Sequence, residues 1–156
     1  MVIDGKKLRG TAPKFNGTKG DYLMNAYVSE NHIMIGQLRL KDKENEITVI
    51  PQIIDRLDID SAVVSIDAIG TKVNVAQEIL DKGAHYFLAV KDNQWALNQQ
   101  ITDAFRYNKP LDTAPQMDAD HGRIETHDCR ILDVSAIENT DVSARWLGLK
   151  TLVEIT

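Results

Sequence analysis

Apolar residues along the chain fall into short runs whose spacing changes from element to element. Residues 1–8 open on Met1-Val2-Ile3 and predict a first strand. Gly10, Pro13, Gly17 and Gly20 make residues 9–20 a loop. Tyr22 to Ser29 and Ile33 to Leu40 are β-prone runs separated by Glu30-Asn31-His32, the pattern of a hairpin. In the second run Ile33, Ile35, Gln37 and Arg39 are expected on one face, with Met34, Gly36, Leu38 and Leu40 on the other. From Thr48 to Leu57 the period becomes helical, with Ile50, Ile53, Ile54 and Leu57 in step. Pro51 is tolerable there only in the first turn. Ser61 to Ile66 is nearly continuous in apolar character, as in a strand covered on both faces.

The pattern then alternates. Thr71 to Lys82 predicts a helix stopped by Gly83. Tyr86 to Val90 predicts another buried strand, and Gln94 to Phe105 a third helix. Pro110 and Pro115 break residues 107–122 into a loop. Arg123 to Val134 and Trp146 to Ile155 alternate as strands. The order βββαβαβα, followed by more β, implies an α/β fold. Its mixed sheet has three antiparallel strands and then parallel ones, flanked by helices.

Composition changes this picture little. The chain has 156 residues, 43% hydrophobic and 26% charged, enough for a globular core. One cysteine, Cys129, excludes a disulfide framework and a cysteine-based zinc cluster, and fits a reduced, cytoplasmic setting. No apolar run is long enough to span a membrane, and the first residues do not read as a signal peptide. Both ends fall within apparent core strands, which points to a trimmed or truncated reading frame. The net charge of −5 argues against a dedicated nucleic-acid binder. Its distribution is uneven, however. Lys6, Lys7, Arg9, Lys14 and Lys19 lie in residues 5–20 with no acid among them. That segment is either a solvated basic loop or a phosphate-contacting one.

Two aspartates carry the candidate chemistry. Asp4 closes Met1-Val2-Ile3 and Asp67 closes Val63-Val64-Ser65-Ile66. Each is followed by a glycine-containing turn. A carboxylate at the mouth of a buried strand caps a turn, pairs with a lysine, or binds a cation. If the first and fourth strands lie side by side, both carboxylates meet at one end of the sheet. Their repulsion is then offset by a divalent ion, and hard oxygen ligands select Mg²⁺ or Mn²⁺.

Five segments occur in order: Ile3-Asp4-Gly5-Lys6-Lys7-Leu8-Arg9-Gly10, Asn45-Glu46-Ile47-Thr48-Val49-Ile50-Pro51, Ser65-Ile66-Asp67-Ala68-Ile69-Gly70, Lys91-Asp92-Asn93-Gln94 and His121-Gly122-Arg123-Ile124-Glu125-Thr126. Together they resemble the DDE-type insertion-sequence transposases, in the branch that includes the H-repeat-associated proteins. The resemblance spans essentially the whole chain. It implies an RNase H-like core over 1–110 and the start of a β-rich insertion over 111–156. It also implies DNA as partner, Mg²⁺- or Mn²⁺-dependent strand cleavage and transfer, and a homodimer within a synaptic complex. By the same resemblance Asp4 and Asp67 are the first two catalytic, metal-binding carboxylates.

The third carboxylate is less plainly placed. Glu125 is a candidate, but it reads as part of a strand, whereas this acid is expected on a later helix in a Trp-x-Ile-Glu-Asn type segment. No such segment occurs in these residues. The reading alternative to an enzyme core is an inactive remnant that folds and at most binds DNA or a partner. Lys7, Asp92 and His127 depart from the family's usual hydroxyl residue, glycine and arginine, as a decayed element would. Lys6, Arg9, Lys91, Asn93, Gln94, His121 and Arg123 are the candidate DNA contacts. For Asn93 or Asp92 the competing reading is a helix cap. His121 and His127 could share a strand face, but no third zinc ligand is evident. Trp95 and Trp146 read as core or interface residues, and Cys129 as a buried small hydrophobe.

Overall fold

The computed structural model of the protein describes residues 1–8, 21–40, 45–120, 123–137 and 141–156, leaving out the side chains of 118–120 and 123–125. The expected loop at 9–20 lies outside the described residues. The chain divides into two compact units, Met1–Asn93 and Gln94–Thr156.

The first unit is built on a five-stranded mixed sheet. Strand β1 (Val2–Lys7) pairs antiparallel with β2 (Tyr22–Val28), which pairs antiparallel with β3 (Ile33–Arg39). On its other side β1 pairs in parallel with β4 (Val63–Ile66), and β4 pairs in parallel with β5 (His85–Leu88). The spatial order is β3-β2-β1-β4-β5. This is the predicted hairpin followed by parallel strands.

The simple alternation expected in β3 does not hold. Ala26 pairs with Gly36 but Tyr27 pairs with Met34, so Ile35 is an extra residue in a β-bulge. Met34 is thereby moved to the face of Tyr27. An edge strand interrupted in this way is a poor template for further pairing.

Helix α1 (Glu46–Asp55) begins two residues earlier than its apolar spacing predicts. The reason is a capping box. The Asn45 side chain accepts from the Thr48 backbone N–H at 3.0 Å, and the Asn45 backbone N–H donates to Thr48 Oγ1 at 3.2 Å. The earlier start places Pro51 beyond the first turn, where it removes one backbone donor from the helix. Helix α2 (Val73–Asp81) ends as predicted at Gly83, whose φ is +73°. Gly83 N–H donates to the Leu80 carbonyl and Ala84 N–H to that of Ile79, a Schellman closure.

Both helices lie on one face of the sheet. Ile3, Met24, Ala26, Val64 and Ile66 from the strands are buried with Val49, Ile50, Ile53 and Ile54 of α1 and Val75 and Ile79 of α2. The opposite face of the sheet contributes nothing to this core. Val63 is 54% exposed and Phe87 47%. The expectation that β4 and β5 are buried on both faces is therefore corrected: alternate residues are buried in β4 and partly buried in β5, as on a one-sided sheet.

The second unit holds helix α3 (Trp95–Tyr107) and a three-stranded antiparallel sheet of order β6-β7-β8 (Asp112–Asp120, Arg123–Asp133, Thr151–Ile155). Its buried residues are Leu97, Ala104, Phe105, Leu132, Ile137, Trp146 and Leu152. The Arg130 guanidinium lies 5.6 Å from the Phe105 ring centroid and hydrogen-bonds Glu154, linking α3 to the sheet.

Residues 112–120, expected as loop, form β6 and pair with β7 over nine positions. Pro115 is accommodated because β6 is an edge strand, where a missing N–H costs no ladder bond. The last strand starts at Thr151, after a 3-10 turn, rather than at Trp146. Trp146 is buried as expected, whereas Trp95 is 67% exposed and Cys129 only half-buried. Among the described residues no helix is long and apolar enough to cross a membrane.

Candidate active site

Parallel pairing of β1 with β4 decides where the two aspartates go. Val2 is opposite Ser65 and Ile3 opposite Ile66, so the next residue on β1 is Asp4 and the first residue after the end of β4 is Asp67. Adjacent strands run about 4.8 Å apart. Ile3 and Ile66 point into the core, so alternation turns Asp4 to the other face of the sheet, and Asp4 and Asp67 are both exposed. Two carboxylates at this spacing repel unless a cation lies between them.

Asp67 is held by the turn after β4. Its Oδ1 accepts the Ala68 N–H at 2.6 Å, which caps the 3-10 turn Ala68–Gly70. Thr71, fully buried, donates its hydroxyl to the Ala89 carbonyl at 2.7 Å, tying this turn to the end of β5. The Lys91 ammonium stands 4.0 Å from Asp67 Oδ1, with both side chains largely exposed. Asn93 donates its side-chain amide to the Ala68 carbonyl. Asn93 and Asp92 therefore do not cap the third helix. The N-cap of α3 is Gln94, with no side-chain cap bond, and Gln94 opens the second unit. Two members of the Lys91-Asp92-Asn93-Gln94 segment thus reach the turn that carries Asp67.

Around Asp4 the structure supplies residues that the sequence did not single out. The glycine-containing turn expected after Asp4 is corrected: Gly5 lies inside β1, paired with Met24, and faces the helices. A Cβ built on Gly5 would lie 2.6 Å from Glu46 Oε1 and 2.6 Å from Tyr22 Cε1. Tyr22, at the start of β2, donates its hydroxyl to Glu46, the first residue of α1. That bond, with burial and the negative charges of Glu46 and Asp4, pushes the Tyr22 phenol up to about 12. The sequence signals were the place of Glu46 in the second of the five segments and Gly5 itself, a glycine inside a strand, which marks a close approach.

The other predicted site residues are less informative. Lys6 is exposed on β1, two residues beyond Asp4 and by alternation on its face. Arg9 and His121 lie outside the described residues. Arg123 and Glu125 are on β7 in the second unit, opposite Asp120 and Asp118 in register. His127 is exposed. Among the described residues no three histidine, cysteine, aspartate or glutamate side chains are gathered as a metal site. Asp4 and Asp67 fit a divalent cation as an incomplete, all-oxygen set. Asp67 Oδ1 is engaged by Ala68, and its second oxygen and the Asp4 carboxylate supply hard donors.

The family model described as the transposase DDE domain matches residues 1–150. The chain belongs to the DDE transposase family. Its mixed sheet with flanking helices is the RNase H-like arrangement expected of that family. "Putative transposase YncI" of Escherichia coli O157:H7 is 35% identical to this DDE transposase domain over 97% of the chain and 40% of its own length. The "H repeat-associated putative transposase YhhI" of E. coli K12 is 33% identical over 97% of the chain and 41% of its own length. An uncharacterized protein in the dhlA 3′ region of Xanthobacter autotrophicus is 36% identical over 99% of the chain and 52% of its own length. The chain therefore spans about two-fifths to one-half of these relatives.

Proposed function

We propose that the chain is part of the catalytic core of a transposase that cleaves and transfers DNA strands, with Asp4 and Asp67 as ligands of Mg²⁺ or Mn²⁺. The observation that supports this reading is the parallel register of Ile3 with Ile66, after which Asp4 and Asp67 are the next residues of their two segments. Divalent ions supply stabilisation of the attacking and leaving oxygens in an in-line displacement at phosphorus.

The chain's own residues do the rest. Thr71 and Asn93 fix the turn that presents Asp67. Lys91 is poised between the Asp67 carboxylate and an incoming phosphate, and Lys6 offers a second cation on the face of Asp4. Gln94, Arg9, His121 and Arg123 complete the proposed DNA contacts. Residues 1–110 are taken as the N-terminal part of the core and 111–156 as the start of an insertion. The proposed setting is the cytoplasm, with transposon ends and target DNA as partners and a homodimer in the synaptic complex.

The third carboxylate is proposed to come from sequence outside these 156 residues, with Glu125 as the candidate inside them. That assignment rests on the resemblance, in which the acid lies on a later helix, and on the relatives being about twice the length of this chain or more. The second reading is an inactive remnant that folds and at most binds DNA or a partner, which the departures at Lys7, Asp92 and His127 favour. A plasmid-nicking assay with Mn²⁺ addresses both. Weak or absent nicking is expected from this chain alone. Robust nicking that disappears in Asp67→Ala would overturn the view that an acid is missing. A chain that shifts DNA in a gel but neither binds Mn²⁺ nor nicks is the remnant.

A further inference from the structure

Asp4 sits beside the weakest point of its own strand. Gly5 has no side chain to pack, so β1 is soft where it passes from Asp4 to its paired end at Lys6 and Lys7. The Tyr22 ring and the Glu46 carboxylate occupy the space that a Gly5 side chain would fill. Tyr22 is the diagonal neighbour of Gly5, because Gly5 pairs with Met24 and Lys7 with Tyr22. An aromatic ring laid over a glycine in this way stiffens the strand. The ring is itself held at its far end by Glu46, which is fixed in the first turn of α1 by the Asn45–Thr48 capping box. The chain of contacts runs from the α1 terminus through Glu46 and Tyr22 to the backbone next to Asp4. It reaches β1 from the helix-covered face, while Asp4 points to the other.

We propose that Tyr22 and Glu46 are a positioning pair that fixes the end of β1 and with it the direction of the Asp4 carboxylate. The inference rests on the reading that Asp4 and Asp67 share a divalent cation. Neither residue is a ligand in this account. Residues that orient metal ligands from behind typically change metal affinity by roughly 10- to 100-fold when removed.

The test is Mn²⁺ affinity, followed by the electron paramagnetic resonance signal of free Mn²⁺, in the whole 156-residue chain. Tyr22→Phe is expected to weaken binding by roughly tenfold or more. Glu46→Ala, which leaves the ring but removes its anchor, should do the same and serves if Tyr22→Phe fails to fold. Glu46→Gln keeps an oxygen acceptor for the Tyr22 hydroxyl and should retain affinity within a few-fold of wild type. Wild-type affinity in Tyr22→Phe would overturn the inference, since a merely structural residue would move the melting temperature and not the affinity. A fall in Glu46→Gln as large as in Glu46→Ala would also overturn it, by showing that charge rather than the hydrogen bond matters. If wild type binds no Mn²⁺, or Asp67→Ala binds as wild type does, the metal-site reading itself fails and this inference falls with it.

Discussion

At the scale of single residues, two tyrosines give the protein an alkaline limit. Tyr22 is held protonated mainly by its bond to Glu46, and Tyr86 by burial; both phenols are pushed up to about 12 from an ordinary value of 10.0. A pKa raised on folding adds stability that is complete below the unfolded value and is lost as pH rises through the folded one. Stability measured by urea unfolding should therefore fall between pH 10 and about 12. The fall should be shallower in Tyr22→Phe and in Tyr86→Phe, and an unchanged slope in both would contradict the assignment. Asp4 and Asp67 were legible in the sequence because each ends an apolar run, and a carboxylate there needs a reason. Glu46 and Tyr22 were not. They meet only because a hairpin and a helix, 24 residues apart, converge over a glycine. No local pattern encodes that contact.

At the scale of elements, chemistry at the ends outweighed periodicity in the middle. The apolar spacing places the start of α1 at Thr48, but Asn45 and Thr48 satisfy each other's backbone groups and the helix begins at Glu46. Asn45→Ala should lower stability by about 1 kcal/mol, read by urea unfolding. Because Glu46 is the first residue of this helix, the same change should loosen Tyr22 and bring its phenol down toward 10. The strands show the converse limit. β4 and β5 read as continuous apolar runs, yet Val63 and Phe87 are exposed among the described residues. Apolar character does not say which face is covered. Likewise β6 was hidden by Pro115, a residue that breaks a central strand but not an edge. The bulge at Ile35 left no signature in the sequence, because it is a property of pairing with β2.

At the scale of the whole chain, the buried residues fall into two sets that match the two compact units. Calorimetry should then resolve two unfolding components. Ile53→Ala, at a fully buried position of α1, should lower one of them by the equivalent of about 2–5 kcal/mol. Leu132→Ala should lower the other. A single transition moved equally by both would show that the units unfold as one.

The family and the mixed five-stranded sheet are common to sequence and fold. The central claim is that Asp4 and Asp67 hold one divalent cation. Thermal unfolding of the wild type, Asp4→Ala and Asp67→Ala across a Mn²⁺ titration tests it most directly, because an ion that binds only the folded chain raises its melting temperature. The account predicts a rise at millimolar Mn²⁺ in the wild type that is absent from both variants. No rise in the wild type, or an equal rise in Asp4→Ala, would contradict it.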